Sequence, residues 1–284
     1  MPILILVARY RGHSEIEGGL LLDKANCGDL QSYFDGDNKV NNALRRKWSL
    51  QIAEAVAYVH EKGVIHSNLS TRNVLVHQTG ETTDLILADF GGSRCLELDL
   101  NGMLIPDQPF LDPQLSEFTS PKVDVFSLGI IIYIIMTGYY PFHQGPAPQN
   151  QERWTYSDRV RTLFKQGHFP DLSSVLFGGV IARCCCERRF ETAKDVVVAL
   201  EAEMQGYASQ VSRLAIVAFI PKLTGQLRNP SEPINELSSP DPIPYSMRSP
   251  LLAIAGSAAL DVVCTGCLAE VSEDRRTHEL MNSL

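Results

Sequence analysis

The stretch V-I-H-S-N-L-S-T-R-N-V-L-V-H-Q-T-G-E-T-T-D-L-I-L-A-D-F-G-G, Val64 to Gly92, decides how this chain is read. Two apolar runs, Val74–Val76 and Leu85–Ala88, flank a polar turn around Gly80 and predict a β-hairpin. Polar side chains stand just before the first run at His66, Asn68 and Asn73, and Asp89 stands just after the second. A hairpin returns its far end to its near end, so Asn73 and Asp89 are expected side by side. Two oxygen-bearing side chains at one edge suit a hard cation such as Mg²⁺, which takes one or two protein oxygens beside substrate phosphates.

Those residues resemble the catalytic and magnesium loops of eukaryotic protein kinases, H-R-D-L-x-x-x-N followed by D-F-G. Here the first motif reads His66-Ser67-Asn68-Leu69-Ser70-Thr71-Arg72-Asn73, and the second, Asp89-Phe90-Gly91, is complete. The resemblance implies an α+β, protein-kinase-like fold with a mainly helical large lobe and an incomplete small lobe. It implies that Asn73 and Asp89 are the metal ligands, with His66 beside Asn68, and that Asn68 occupies the place of the catalytic Asp. Asn68 is a neutral amide and Ser67 stands where the family has Arg, so the register is kept while the base is lost.

Working outward toward the N-terminus, Leu44, Trp48, Ile52, Ala55, Val56 and Val59 recur at helical spacing and predict an amphipathic helix. Its last turn holds His60 and Lys62, Gly63 follows as a C-cap candidate, and no chemistry is assigned to it. Further upstream, Ile3–Val7 and Gly19–Leu22 read as two strands joined by a polar loop. Asp23 to Leu30 reads as a connection into a short helix near Leu30–Phe34. In the resemblance this connection is the hinge between the lobes. Asp23 and Ala25 would then offer backbone groups to adenine, Leu75 would line the same pocket, and Leu22 would guard its back.

Toward the C-terminus, Gly92 to Phe118 shows turn formers and apolar residues without period, and the resemblance makes it an activation segment. The family closes that segment with A-P-E, whereas this chain has Asp112-Pro113-Gln114. The Arg that pairs with that Glu in the family is also displaced, because Phe190 lies near its place with Arg188 and Arg189 just before. Ser120-Pro121 reads as a helix start. The run from Val123 to Met136 is apolar on every face and belongs in the middle of a large core. Its first turn, D-V-F-S-L-G, resembles the kinase D-x-[WF]-S-x-G helix. By itself Asp124 is a first-turn acid that needs no partner; the resemblance makes it the buried carboxylate that holds the catalytic-loop backbone. Arg159–Phe164 and Ala193–Met204 read as further helices.

From about Gly206 the composition changes. Seven prolines fall between Pro221 and Pro250 among many Ser and Asn, which reads as linker or disorder. Two apolar islands, Leu214–Ile220 and Leu251–Val263, interrupt it. The expected organisation is therefore 1–22 small-lobe strands, 23–30 hinge, 31–205 large lobe and 206–284 tail.

Bulk properties narrow the function classes. A formal net charge of −8 over 284 residues, with no basic run, gives nucleic acid no footing. The run Val123–Met136 is shorter than the roughly 20 residues that span a bilayer. Seven cysteines without disulfide-like spacing fit reduced thiols in an intracellular, cytoplasmic protein. Cys264-x-x-Cys267 lacks a second half and makes a poor zinc site.

No G-x-G-x-x-G occurs in the sequence and no Lys precedes Lys24. In family terms the chain starts about two strands before the hinge, so Mg-ATP is expected to bind weakly or not at all. The sequence therefore reads as a pseudokinase-like module that binds a protein partner. The alternative is an ATP-dependent protein kinase acting on Ser/Thr or Tyr of a protein substrate, in a chain shortened before its glycine loop.

Overall fold

The computed structural model describes residues 7–15, 19–36 and 38–207. The chain divides into two compact units, and the elements below belong to the one that contains Met1–Met204. The proline-rich stretch, both apolar islands, Cys264-x-x-Cys267 and residues 3–6 of the first expected strand lie outside the described residues.

The predicted hairpin is present. Strand β4 (Val74–Thr79) pairs antiparallel with β5 (Thr82–Leu87) in a register running from Val74↔Leu87 to Thr79↔Thr82. The tight turn is possible because Gly80 takes a φ of 59°, a left-handed value that costs glycine nothing. Alternation buries Val74, Val76, Leu85 and Leu87.

Those side chains meet helix α2 (Asn42–Glu61), which begins where Asn41 Oδ1 accepts the Leu44 N–H at 2.9 Å and ends at Lys62. Gly63 follows with φ 71° and turns the chain into β3 (Val64–Ile65). A polar clamp fixes the helix to the hairpin. Lys47 Nζ lies 2.7 Å from Asp84, Gln51 Nε2 donates to the same carboxylate at 2.7 Å, and Trp48 Nε1 donates to the Thr83 carbonyl at 3.1 Å. Gln51 Oε1 also accepts the Leu85 N–H at 3.2 Å. Both ends of that amide are satisfied, as a buried Gln requires.

Helix α3 (Lys122–Thr137) runs through the core with Val123 to Ile132 buried without interruption, followed by Ile134 and Ile135. It starts one residue later than Ser120-Pro121 suggests: Pro121 is the cap and Ser120 offers only its carbonyl, which accepts the Val123 N–H at 3.3 Å. The segment crossing behind it is α5 (Gly178–Ile181) continued by a π-helical turn, Ala182–Cys186. Gly129 lets the two backbones approach, since a Cβ there would stand 2.5 Å from both Cys184 Cβ and Cys185 Sγ. Burial pushes the Cys184 and Cys185 thiols well above their ordinary range and that of Cys186 up to about 11. The five described cysteines are free, in keeping with structural rather than reactive thiols.

Three boundaries differ from expectation. The strand facing β2 (Leu20–Leu22) is β1 (Tyr10–His13), inside the stretch read as a loop, and Val7 makes an isolated bridge to Leu87. Alternation of Tyr10, Arg11, Gly12 and His13 is too polar to signal a strand, yet the ribbon is half exposed and tolerates it. Helix α4 (Asn150–Lys165) begins nine residues before Arg159, because only Tyr156, Val160 and Phe164 need be apolar to bury one narrow face. The segment after Gly92 is not wholly irregular, since β6 (Arg94–Cys95) joins β3 to β7 (Leu100–Asn101) in a small sheet. Helix α1 (Leu30–Asp35) stands where expected, capped by Asp29 Oδ1 on the Ser32 N–H at 2.9 Å. A last helix covers 193–204 in this unit. Among the described residues, no helix is long and apolar enough to cross a membrane.

Candidate functional site

Asp124, with no exposed surface, is the centre of the site. Its carboxylate accepts the His66 N–H at 2.7 Å, the Ser67 N–H at 2.9 Å and His60 Nε2–H at 2.9 Å. Three donors satisfy a carboxylate that burial has removed from water. Helix α3 thereby holds the loop that follows β3. Ser67 sits at φ 64° in that loop, a left-handed conformation that survives only where its surroundings hold it. The sequence reads His60 as a helix-end cation with no chemistry; the structure makes it a third hand on Asp124. In the last turn of α2 its ring faces the core, a signal that the apolar periodicity alone could not separate from a dipole effect.

His66 ties the loop to the hairpin. Its ring Nε2–H donates to the Ala88 carbonyl at 2.9 Å and its ring centroid lies 5.0 Å from that of Phe90. The Ala88 N–H in turn donates to the Asn73 carbonyl at 2.9 Å, extending the β4–β5 ladder by one pair. The structure thus brings Asn73 and Asp89 to the same edge of the hairpin. Asn73 Nδ2 donates to the Asn68 carbonyl at 2.8 Å, which leaves Oδ1 as the end that could face a cation. Asp89 is exposed, sits at φ 61°, and among the described residues makes only a long contact of 3.4 Å with the Gly91 N–H. An amide oxygen and a free carboxylate fit a magnesium ion that is also held by phosphates. Among the described residues, no cluster of three or more His, Cys, Asp or Glu could hold a metal without such help.

The hinge-like connection runs beside the hairpin. The Cys27 N–H donates to the Val76 carbonyl at 3.0 Å and the Val76 N–H to the Gly28 carbonyl at 2.8 Å, so residues 26–29 lie along β4 next to Leu75. Leu75 is half-buried, as is Ala25. The Asp23 N–H is taken by the Arg9 carbonyl at 2.9 Å. Its side chain is taken by Arg11, whose hydrogen bond holds the Asp23 carboxyl below the usual range. Only the Asp23 carbonyl and the Ala25 backbone are left for a ligand's edge. Leu22 does not close the back of a pocket: it is 48% exposed, since nothing among the described residues covers that face of the β1–β2 ribbon.

The segment after Gly92 folds back on the loop. Gly102 lies so close that a Cβ would stand 2.2 Å from the Gly91 carbonyl oxygen, and a Cβ on Gly92 would meet Leu104 at 2.7 Å and Asn68 Cβ at 3.2 Å. Farther on, the structure corrects the view that Gln114 leaves the segment without its ion pair. Asp112, two residues earlier, is buried and takes Arg188 Nε at 2.6 Å and Nη2 at 2.8 Å. Gln114 is exposed and donates its own N–H to Asp112 at 3.0 Å. The carboxylate has moved along the chain and the fork geometry is kept.

The protein kinase domain family profile matches residues 4–279. The chain belongs to the protein kinase family. Serine/threonine-protein kinase kin-29 of Caenorhabditis briggsae is 32% identical over 127 residues, 43% of this chain and 15% of that protein. CBL-interacting protein kinase 29 of Oryza sativa subsp. japonica is 29% identical over 160 residues, 55% and 34% of the two chains. Calcium/calmodulin-dependent protein kinase type IV of Mus musculus is 36% identical over 131 residues, 45% and 26%. The chain thus spans about a third or less of these relatives' length. Among solved structures, "Crystal structure of Rad53 kinase domain and SCD2" aligns with a TM-score of 0.51 at 21% identity, covering 67% of this chain and 69% of that one. The fold is α+β and protein-kinase-like.

Proposed function

We propose that this domain is a protein-binding member of the kinase family whose phosphoryl transfer is impaired. One observation carries the reading: Asn68 stands in a loop otherwise supported by Asp124, His60 and His66. With that scaffold in place, the amide fills a position where an acceptor hydroxyl must lose its proton. An amide is not basic near neutral pH, and loss of a general base forfeits about 10²–10⁴ in rate, or roughly 3–5 kcal/mol of barrier. Asn73 and Asp89 would hold Mg-ATP at the phosphate end, with Leu75, Ala25 and Asp23 at the adenine end. The bound nucleotide would supply the phosphoryl group. The chain's own residues bind and orient it, without a carboxylate to take the proton. Reduced thiols favour an intracellular setting.

The test is transfer of labelled phosphate from Mg-ATP to a generic basic protein. Wild type is expected at the level of Asp89→Ala, and Asn68→Asp to gain less than about tenfold, because the sequence has no G-x-G-x-x-G and no Lys before Lys24 to hold the phosphates. Transfer by wild type well above the Asp89→Ala control would overturn this reading. A working Ser/Thr or Tyr kinase is the second reading, favoured by the intact Asn73–Asp89 edge and by relatives named as serine/threonine kinases.

A further inference from the structure

The sequence holds one Asn-Gly pair, Asn101-Gly102, and it lies at the end of β7 against the D-F-G turn. Asparagine is among the thermolabile side chains. Before glycine it is more so, because no Cβ shields the peptide nitrogen that follows. Asn101 is exposed. Its side chain is turned toward the next peptides, with Oδ1 accepting the Met103 N–H at 3.0 Å. The Gly102 nitrogen is the internal nucleophile, and its N–H donates to the Ser93 carbonyl at 2.9 Å. Asn101 also pairs with Arg94 of β6, which keeps its backbone extended. Both reacting groups are adjacent, and both are held in bonds that ring closure must break.

The backbone after Asn101 has no slack. A Cβ on Gly102 would overlap the Gly91 carbonyl and stand 2.7 Å from Gly92 Cα. Leu104, two residues on, packs over Gly92 next to Asn68. The main chain from 101 to 104 therefore fixes how this segment seats on the candidate site. The strands that hold it are two residues each. Short, exposed elements of this kind open locally ahead of the global transition.

We infer that Asn101 is a site of spontaneous deamidation to isoaspartate, held back by the β6–β7 pairing and released when that hairpin opens. The Gly102 nitrogen gives up its proton and bonds to Asn101 Cγ. The Cγ–Nδ2 bond breaks, and the nitrogen takes the proton and leaves as ammonia. Water then opens the succinimide ring. Attack at Cγ gives aspartate, which keeps the chain length and an oxygen for the Met103 N–H. Attack at the main-chain carbonyl gives isoaspartate, whose backbone runs through Cγ and is longer by one methylene. The close seating of Gly102 on Gly91 and Gly92 cannot absorb that methylene. Isoaspartate therefore lifts the segment off the D-F-G turn, and aspartate leaves it seated. None of this depends on whether the domain transfers phosphate.

The experiment ages the full chain in mildly alkaline buffer without urea, with urea below the unfolding transition, and with urea above it. Peptide mapping by mass spectrometry locates the product, and methyl transfer by an isoaspartate methyltransferase counts it. Asn101 is expected to convert before any other asparagine between 19 and 207 in the folded chain. Its rate should be at least about tenfold below that in unfolding urea, and several-fold higher in sub-transition urea than in none. Earlier conversion of another asparagine in that range would overturn the site. Equal rates in folded and unfolded chain would overturn the protection, and a rate that rises only with global unfolding would overturn release by local opening. Hydrogen exchange then distinguishes the two products. Chain aged to isoaspartate should exchange its amides across 91–104 at least about tenfold faster than Asn101→Gln aged in parallel. Asn101→Asp should match Asn101→Gln. Exchange left unchanged by isoaspartate would overturn the displacement of the segment.

Discussion

At the scale of single residues, Asp124 and Asn68 pull the reading of this protein in opposite directions. Asp124 holds two backbone amides and a histidine ring in a position with no solvent access. Those three contacts hold the loop of the candidate site in place. Truncating it strands buried donors, each costing about 1–3 kcal/mol. Asp124→Ala is therefore expected to lose about 3 kcal/mol or more in urea unfolding, and His60→Ala about 1–2 kcal/mol. An Asp124→Ala loss under about 1 kcal/mol would mean the loop is held by something else. Asn68 lies in this supported loop, and on the proposed reading its replacement by Asp tests function and not folding.

Between elements, two polar junctions replace what apolar packing alone would leave loose. The first joins α2 to β5 through Asp84. Burial pushes the Asp84 carboxyl up, but hydrogen bonds from Lys47 and Gln51 outweigh it and the net shift is downward. A carboxyl lowered on folding contributes stability that is present above its unfolded value, near 3.9, and is lost as pH falls through the folded value. As pH falls below about 4, wild type should therefore lose stability more steeply than Asp84→Asn, as urea midpoints at each pH will register; parallel curves would remove Asp84 from the acid limb. The second junction joins the segment before α3 to the π-helical turn through Asp112 and Arg188. Asp112→Ala should cost about 2 kcal/mol, reduced from the value for a fully buried pair because Arg188 is partly exposed. Gln114→Ala should stay within about 0.5 kcal/mol. Comparable losses at 112 and 114 would contradict the shifted pairing.

Across the whole molecule, the phosphate end and the adenine end of the candidate nucleotide site are unequally furnished. Asn73 and Asp89 share an edge, while the hinge side offers a half-buried Leu75 and the β1–β2 ribbon with Leu21 and Leu22 about half exposed. An open site that leaves adenine wet gains little from burial. For the 284-residue chain, millimolar Mg-ATP is expected to raise the melting temperature by under about 2 °C, the shift that follows when the dissociation constant is near or above the ligand concentration. A magnesium-dependent rise of several degrees at micromolar ATP would show a tight nucleotide site.

Much of this architecture was legible from local pattern. The alternation around Gly80 predicts β4 and β5, the three-and-four spacing of Trp48, Ile52 and Val56 predicts α2, and the unbroken apolar run predicts α3 as the core helix. Each follows from one segment burying one face, which sequence spacing encodes directly. The order of His66, Asn68, Asn73 and Asp89 likewise set out the candidate site, because a hairpin must return Asp89 to Asn73. What the sequence could not decide were contacts between residues far apart in the chain. His60 on Asp124, Arg188 on Asp112 in place of Gln114, and Gly129 against Cys184 all join distant segments. No local period records such pairs; they exist only once α2, α3 and the π-helical turn have packed, since packing alone brings those side chains within bonding distance.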